Sequence, residues 1–205
     1  MPDALPLVTL RGLALQRGGR TLLCDLDLNI NAGQLLLIEG ENGSGKTTLL
    51  RCLAGLSSLG RSGSLQRDCD EVLYLGHRAG IKAQLTPREN LAWACRCQGW
   101  ATTSIDAALA RVGLAGLEDR ICQHLSAGQQ RRVNLARLYL SFDHGAPRAL
   151  WLLDEPFTAI DRAGVQALAD TVAAQVARGG AVVLTSHQDL PLDIPLTKMV
   201  LGVAA

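Results

Sequence analysis

The segment at residues 40–48, GENGSGKTT, has the spacing G-x-x-x-x-G-K-[ST] of a loop that binds phosphate groups. It follows QLLLI at residues 34–38, an apolar run typical of a buried central strand, and it opens a helical pattern at residues 45–56. Gly43 and Gly45 carry no Cβ, so backbone amides at the helix start are free to approach an anion. The segment therefore predicts an α/β fold that binds a nucleotide, rather than a Gly/Ser-rich turn with a stray lysine.

The same loop supplies the polar side chains that a nucleoside triphosphate needs. Lys46 is placed to reach the outer phosphates, and the Thr47 hydroxyl is placed to bind Mg²⁺. We therefore predict ATP and Mg²⁺ as the cofactors. The loop residues expected to contact them are Gly40, Glu41, Asn42, Gly43, Ser44, Gly45, Lys46, Thr47 and Thr48.

Further polar residues follow two other apolar strands. ALWLLD at residues 149–154 delivers Asp154 to the tip of the sheet, where it can hold Mg²⁺ through water. Glu155 comes next and is placed to polarise a water that attacks the γ-phosphate; the alternative is an ordinary acidic turn. His187 follows the strand at 179–186, at the carboxyl edge where open α/β sheets bind ligands. We expect it to contact the γ-phosphate rather than to cap a loop.

The segment LSAGQQRR at residues 125–132 begins a helix but carries no catalytic side chains of its own. Ser126 and Gln129 have the spacing of a capping box. The segment contains no nucleophile with a base beside it and no cluster of metal ligands. The backbone amides at this helix start suit an anion; the alternative is a simple helix cap.

Outside these segments, strand and helix patterns alternate. We predict further strands at residues 7–15, 22–30, 71–76 and 197–203, and further helices that begin at Thr86, Ser104 and Asp161. The helical patterns are consecutive at about residues 82–140, where they interrupt the α/β alternation. The 205 residues are therefore expected to form one ATP-binding domain with a helical insert at about 82–140.

The composition argues against several classes of protein. The chain is 48% hydrophobic and 19% charged with a net charge of +1, which favours a folded core and disfavours a protein that coats nucleic acid. The sequence shows no secretory signal and no apolar run of about 20 residues, so we expect a cytoplasmic location. The six cysteines lack a CxxC or zinc-type spacing and are expected to be reduced thiols.

Five motifs stand in an order that resembles the ATP-binding subunits of ABC transporters over the whole chain. They are the Walker A motif GENGSGKT, the signature LSAGQ, the Walker B motif LWLLDE, the D-loop FTAID and the switch histidine in TSHQ. The resemblance implies a P-loop NTPase fold of ABC type, with a RecA-like core sheet, an N-terminal antiparallel β subdomain and an inserted helical subdomain. It also implies ATP hydrolysis that is coupled to a membrane partner.

The resemblance assigns the signature segment to the nucleotide of a second copy of the chain. In this family two subunits face head to tail, and each signature contacts the γ-phosphate held by the partner's Walker A loop. Ser126, Gly128 and Gln129 are therefore expected to bind ATP in trans, with the small Ala127 allowing a close approach. Asp161 of the D-loop is also expected among the nucleotide-binding residues.

Two positions depart from the family pattern. His77, in YLGHRAG, stands where the family usually has the glutamine of the Q-loop. An imidazole can still bind water or a metal ion, and its charge changes near neutral pH, so His77 is kept among the residues expected near the nucleotide. The aromatic residue that usually stacks on adenine is absent from QRGGR at residues 16–20, where Arg17 or Arg20 can stack through a planar guanidinium.

Three segments narrow the resemblance to the CcmA family, the ATPases of cytochrome c maturation, also called haem exporter ATP-binding proteins. The segments are YLGHRAGIK, LSAGQQRRVNLARL and LLDEPFTAID. This implies a peripheral subunit at the cytoplasmic face of the inner membrane, which touches the membrane only through an integral CcmB-like permease. Its ATP hydrolysis would serve haem export, or the release of a haem-loaded chaperone, in c-type cytochrome biogenesis.

Three alternatives stay open. One is the ATPase subunit of another small ABC exporter, against which the His77 variant argues. A more remote one is a soluble DNA-maintenance ATPase of ABC type, but those separate their two halves by very long heptad segments, whereas about 80 residues separate Lys46 from Ser126. The third, a nucleotide-binding regulator without hydrolysis, is disfavoured by the presence of Glu155. We expect no nucleic-acid partner.

Overall fold

The computed structural model describes residues 6–58, 60–158, 160–186 and 192–202. Its strands, in chain order, are β1 Val8–Arg17, β2 Arg20–Ile30, β3 Leu35–Gly40, β4 Arg61–Arg67, β5 Glu71–Leu75, β6 Ala149–Asp154, β7 Ala181–Thr185 and β8 Thr197–Leu201. Its helices are α1 Lys46–Leu53, α2 Pro87–Gln98, α3 Ile105–Arg111, α4 Ala127–His144 and α5 Arg162–Ala177, with a 3₁₀ turn at Cys122–His124.

The strands form two sheets of different kinds. The first is antiparallel with the order β2-β1-β4, and the second is parallel with the order β5-β6-β7-β3-β8. This mixed α/β architecture agrees with the fold predicted from the sequence. In the parallel sheet, β7 lies between β3 and β6, so the Walker A and Walker B strands are not direct neighbours.

Side-chain alternation on the parallel strands divides the core into two layers. On β6, Trp151 and Leu153 pack with the helices of the insert and α5, whereas Leu150 and Leu152 pack with α1 and the antiparallel sheet. All six residues of β6 are buried, because successive side chains point to opposite faces and both faces are covered. This explains why ALWLLD is an unbroken apolar run.

The segment between β5 and β6 contains α2, α3 and α4. Thr86 caps α2 through a complete capping box with Glu89, and Pro87 occupies the first helical position. Helix α4 begins after Ser126 and ends at Gly145, whose φ of 79° is the left-handed conformation favoured by glycine. Among the described residues, no helix is long and apolar enough to cross a membrane.

Strand β4 was not predicted from the sequence. Its residues, RSGSLQR, are exposed except for the half-buried Leu65, so the apolar alternation that signals a strand is missing. The strand exists because it pairs with β1 at the edge of the antiparallel sheet. The predicted helix at residues 45–56 ends earlier than expected, since α1 stops at Leu53. Strand β8 ends at Leu201, and residue 203, the predicted end of that strand, lies outside the described residues.

Candidate nucleotide-binding site

The Walker A loop connects β3 to α1 and is shaped by its glycines. Gly45 precedes α1 with a φ of 102°, and Gly43 has a φ of 85°. Gly40 allows a close approach, since a Cβ there would lie 2.6 Å from the Leu201 carbonyl oxygen and 2.7 Å from Ser44 Oγ. The backbone therefore folds into a turn that side chains at these positions would disrupt.

Lys46 is held across this loop by two backbone carbonyl groups. Its Nζ donates hydrogen bonds to the carbonyl oxygens of Gly40 at 2.6 Å and Glu41 at 3.0 Å. Lys46 is 8% exposed, so its charge is confined to the interior of the loop. The ammonium group thus stands where an anion bound by the loop amides would meet it.

A chain of hydrogen bonds joins the start of α1 to the ends of β6 and β7. Thr47 Oγ1 donates to Asp154 Oδ2 at 2.8 Å, and Thr185 Oγ1 donates to Asp154 Oδ1 at 2.9 Å. The same Thr185 hydroxyl accepts a hydrogen bond from the Glu155 amide at 3.0 Å. Thr47 thus joins the Walker A loop directly to the Walker B motif, and Thr185, at the end of β7, joins Asp154 to the Glu155 amide within Walker B. The role of Thr185 was not predicted from the sequence. Its place directly before Ser-His in TSHQ was the available signal.

Glu155 adopts an unusual backbone conformation beside His77. Its φ is 52°, which is uncommon for a residue other than glycine. Glu155 Oε2 lies 3.7 Å from His77 Nδ1, so the two side chains form an ion pair when the imidazole is protonated. The His77 side chain is more exposed than that of Glu155, at 63% against 26%. The Q-loop position and the Walker B carboxylate therefore meet at one edge of the sheet.

Lys46, Thr47, Asp154 and Glu155 line a cleft of about 400 Å³ at the carboxyl end of the parallel strands, whereas His77 and Thr185 are not among its lining residues. Of the two arginines considered for adenine stacking, Arg17 lines this cleft and an adjoining one that includes Arg51. The lining residues of the first cleft are Arg17, Leu22, Asn42, Gly43, Gly45, Lys46, Thr47, Thr48, Asp154 and Glu155.

The signature residues lie at the start of α4 and, in the described chain, do not line that cleft. Gln129 N donates to Ser126 Oγ at 3.2 Å, and Ser126 N donates to Gln129 Oε1 at 2.9 Å, which completes the predicted capping box. Ser126 and Ala127 are exposed, and Gly128 is half-buried. The helix start is thus open to solvent in the single subunit.

Two other expected site residues lie apart from this cleft or cannot be described. Asp161 Oδ1 accepts a hydrogen bond from Gly164 N at 2.8 Å and caps α5. It lines a separate cleft of about 320 Å³ with Arg132 and Tyr139. His187 lies outside the described residues.

Arg131 is a second residue that the sequence did not single out for the site. From α4, its guanidinium donates to the His77 carbonyl oxygen at 2.5 Å and to the Glu155 carbonyl oxygen. Burial lowers the pKa of Arg131, an effect that the charges of Glu155 and Asp154 oppose. The Arg131 guanidinium therefore joins α4 to the loop that carries His77 and to the loop that carries Glu155.

Oxygen ligands for Mg²⁺ are present where they were expected. The Thr47 hydroxyl and the Asp154 carboxylate lie in contact, and both are hard oxygen donors of the type that Mg²⁺ prefers alongside phosphate and water. Asp154 is 3% exposed, so its charge is shielded from bulk water. The donor set fits the ion.

Comparisons with known proteins agree with this geometry. The family model described as ABC transporter matches residues 23–158. A Saccharophagus degradans protein named cytochrome c biogenesis ATP-binding export protein CcmA is 46% identical over 93% of this chain and 91% of that protein. A Pseudomonas putida protein of the same name is 49% identical over 87% of this chain and 88% of that protein.

Solved structures share the fold at low sequence identity. The structure of an ATP-binding subunit of an ABC transporter has a TM-score of 0.75 at 22% identity and covers 88% of this chain and 79% of that one. A dimeric ATP-binding cassette in a post-hydrolysis state with ADP and Pi has a TM-score of 0.72 at 23% identity and covers 88% of each chain. The chain belongs to the ABC transporter ATP-binding family and, within it, to the family of CcmA cytochrome c biogenesis ATP-binding export proteins.

Proposed function

We propose that the chain is the ATP-hydrolysing, energy-coupling subunit of an inner-membrane ABC complex for c-type cytochrome biogenesis, acting in haem export or in release of a haem-loaded chaperone. The observation that carries the ATPase assignment is the hydrogen-bonded chain from Thr47 through Asp154 and Thr185 to Glu155, beside Lys46. The curated relatives named for cytochrome c biogenesis support the cellular role.

Binding begins with the replacement of internal contacts by phosphate. The Lys46 ammonium exchanges its two loop carbonyls for phosphate oxygens, and the amides at the start of α1 add further donors. Thr47 and Asp154 would hold Mg²⁺, which would neutralise charge on the phosphates. Arg17, at the edge of the cleft, stacks on the base through its guanidinium plane.

Hydrolysis depends on a water held in line with the γ-phosphate. The Glu155 carboxylate polarises this water, and the Thr185 hydroxyl holds the Glu155 amide in place. His187, which follows β7 in the sequence, contacts the γ-phosphate. His77 stands beside Glu155 in place of the usual glutamine and orients the water from the other side.

The cycle needs a second copy of the chain. Ser126, Gly128 and Gln129 do not line the cleft of their own subunit, and an exposed helix N-terminus attracts an anion. We infer that two subunits meet head to tail, so that each signature covers the nucleotide of the other and Asp161 lies at the same interface. ATP then joins the dimer, and hydrolysis releases it.

A membrane permease of the CcmB type is the inferred partner at the helical insert. A groove of about 350 Å³ runs between α2, α4 and the loop after His77. Trp93 is 51% exposed at its rim, with Lys82 Nζ 4.5 Å from the centre of the ring. A cytoplasmic segment of the permease with apolar and acidic side chains fits this lining. Its docking would move the loop that holds His77.

A haem stain of periplasmic c-type cytochromes tests the cellular role. We expect covalent haem to disappear in a strain that lacks this protein and to return with the wild-type copy but not with Lys46→Ala, because loss of the ammonium group removes phosphate binding. Lys198→Ala is the matched control, since Lys198 pairs with Glu39 on the sheet edge at 3.0 Å. It should restore the stain.

This experiment can contradict the cellular role and the assignment of the nucleotide site separately. Unchanged holocytochromes in the deletion strain would reject cytochrome c biogenesis and favour the ATPase of another small ABC exporter. Full restoration by Lys46→Ala, with undiminished ATP hydrolysis in the purified complex, would reject the Walker A loop as the nucleotide site.

A further inference from the structure

Arg131 holds together two loops that lie at the catalytic edge of the parallel sheet. One loop follows β5 and carries His77; the other follows β6 and carries Glu155. The guanidinium donates from one terminal nitrogen to the His77 carbonyl oxygen at 2.5 Å and from the other to the Glu155 carbonyl oxygen. These partners are 54 and 24 residues away in sequence. The arginine is therefore a tertiary connection between separate elements.

The contacts of Arg131 fit a positioning role rather than a surface charge. Arg131 is half-buried, and its Nε is buried without a hydrogen-bond partner among the described residues. A planar guanidinium presents donors in a fixed fork, which lets it bridge two carbonyl oxygens at once; a lysine ammonium lacks this geometry. Both of its bonded partners are backbone carbonyls, so what it fixes is the course of the two loops.

The backbone of Glu155 is held on both sides. Its amide donates to Thr185 Oγ1, and its carbonyl oxygen accepts from Arg131. These two contacts flank a residue with a φ of 52°, a conformation that persists only where the surroundings hold it. The direction of the carboxylate depends on that conformation. Arg131 is thus one of the groups that hold the Glu155 backbone in this conformation.

Arg131 also lies on the helix that begins with the signature. It stands four residues after Ala127, the first residue of α4, so its Cα moves with the helix start. We propose that Arg131 is a positioning residue that couples the signature of one subunit, where the partner's nucleotide binds, to Glu155 and His77 of the same subunit. This inference rests on the head-to-tail dimer of the proposed function.

Through this coupling, the binding of a nucleotide at one site affects the rate of hydrolysis at the other site. When the partner's nucleotide draws in the start of α4, the guanidinium carries that displacement to the two loop carbonyls. The Glu155 carboxylate is then aligned only when both nucleotides are in place. Such a link needs no change in the Walker A loop, so ATP affinity of the single subunit should not depend on it.

The test uses the purified complex of this chain with its membrane partner and three variants. Arg131→Gln removes the guanidinium with its paired donors. Arg131→Lys keeps the charge but not the paired donors, and Arg111→Gln is the control. Arg111 also binds α4, because its Nη1 lies 3.0 Å from Asp143 Oδ1, but among the described residues it makes no hydrogen bond to His77 or Glu155. ATPase rate against ATP concentration, affinity of the isolated subunit for ATP and the thermal midpoint are measured for each.

We expect kcat to fall at least about tenfold in both Arg131 variants, since misplacing a catalytic group by even 1 Å is costly. KM and the ATP affinity of the isolated subunit should stay within about twofold of wild type. The wild-type rate should rise cooperatively with ATP, and both Arg131 variants should lose that cooperativity. Arg111→Gln should keep the wild-type kcat and cooperativity.

Several outcomes would overturn the proposal. These are an unchanged kcat in Arg131→Gln, full activity in Arg131→Lys, or a rate that is not cooperative in the wild-type complex. If Arg131→Gln does not fold, Arg131→Lys carries the test by itself, because it preserves the charge and most of the side chain. The proposed function itself would instead be rejected if the wild-type complex had no ATPase activity, or if its activity were not abolished by Lys46→Ala.

Discussion

At the scale of single residues, the site is organised by two side chains that carry no catalytic chemistry. Thr185 donates to Asp154 and accepts from the Glu155 amide, while Arg131 donates to the Glu155 carbonyl oxygen. Lys46 and Asp154 were predicted from the sequence because each belongs to a local motif. Thr185 and Arg131 were not, because their partners are distant in sequence and hydroxyls and guanidinium groups are common elsewhere in the chain.

The hydroxyl of Thr185 provides a residue-scale prediction. Thr185→Val keeps the shape but leaves the part-buried Glu155 amide without its acceptor and removes the donor to Asp154 Oδ1, while Thr47 still donates to Oδ2. We expect a loss of about 1–3 kcal/mol in the free energy of unfolding, together with a several-fold lower kcat. Denaturant unfolding and an ATPase assay measure the two effects.

Thr171→Val is the matched control for this change. Thr171 Oγ1 donates to the Ala167 carbonyl oxygen within α5, away from the Walker motifs. Its removal should leave kcat unchanged. An equal kcat in Thr185→Val and wild type would show that Asp154 and Glu155 keep their places without the hydroxyl.

At the scale of elements, a buried polar network fastens the helical insert to the parallel sheet. Glu71, the first residue of β5, accepts from Trp100 Nε1 at 2.8 Å and from Ser141 Oγ near the end of α4. Ser141 Oγ in turn accepts from Trp151 Nε1 on β6 at 2.9 Å. The network lies at the amino end of the strands, opposite the nucleotide cleft. It therefore fixes the insert to the sheet at the end away from the cleft.

Loss of the Glu71 carboxylate should therefore affect stability more than binding. Glu71→Ala leaves an indole N–H and a serine hydroxyl buried without an acceptor, and we expect the free energy of unfolding to fall by about 2–3 kcal/mol. ATP affinity should stay the same. Glu118→Ala is the control, since among the described residues the Glu118 carboxylate accepts a hydrogen bond from the nearby Gly116 amide at an exposed site. This substitution should change the free energy of unfolding by no more than about 0.5 kcal/mol. A wild-type midpoint for Glu71→Ala in denaturant would contradict the role of the network.

At the scale of the whole molecule, the strand order brings the two halves of the phosphate site together. Because β7 lies between β3 and β6, the Thr47 hydroxyl and the Asp154 carboxylate meet over the end of β7, where Thr185 stands. The described residues at the start of α4 do not line this cleft. A single subunit therefore presents one nucleotide cleft and one separate anion-attracting helix start, which is the arrangement a head-to-tail pair would complete.

A change in assembly on ATP binding is the prediction at this scale. Glu155→Gln keeps the shape of the side chain but removes its basicity, so bound ATP should persist and hold two subunits together. We expect light scattering to report a doubled mass for the isolated variant with ATP and Mg²⁺ and a single mass without them. Lys46→Ala added to the same chain should abolish the change. The same mass in both states would argue against the signature acting in trans.

The phosphate loop, the Walker B strand and both capping boxes could be predicted from the sequence, because each is a local pattern within a few residues. Glycine torsions, apolar runs and caps are properties of contiguous segments. The existence of β4, the link from Asp154 through Thr185 to Glu155 and the link from α4 through Arg131 to His77 became visible in the folded chain alone. Strand β4 is polar and defined by its pairing with β1 alone. The two side-chain links span 24 to 54 residues, and no spacing rule encodes contacts that depend on strand order and on the placement of a packed helix.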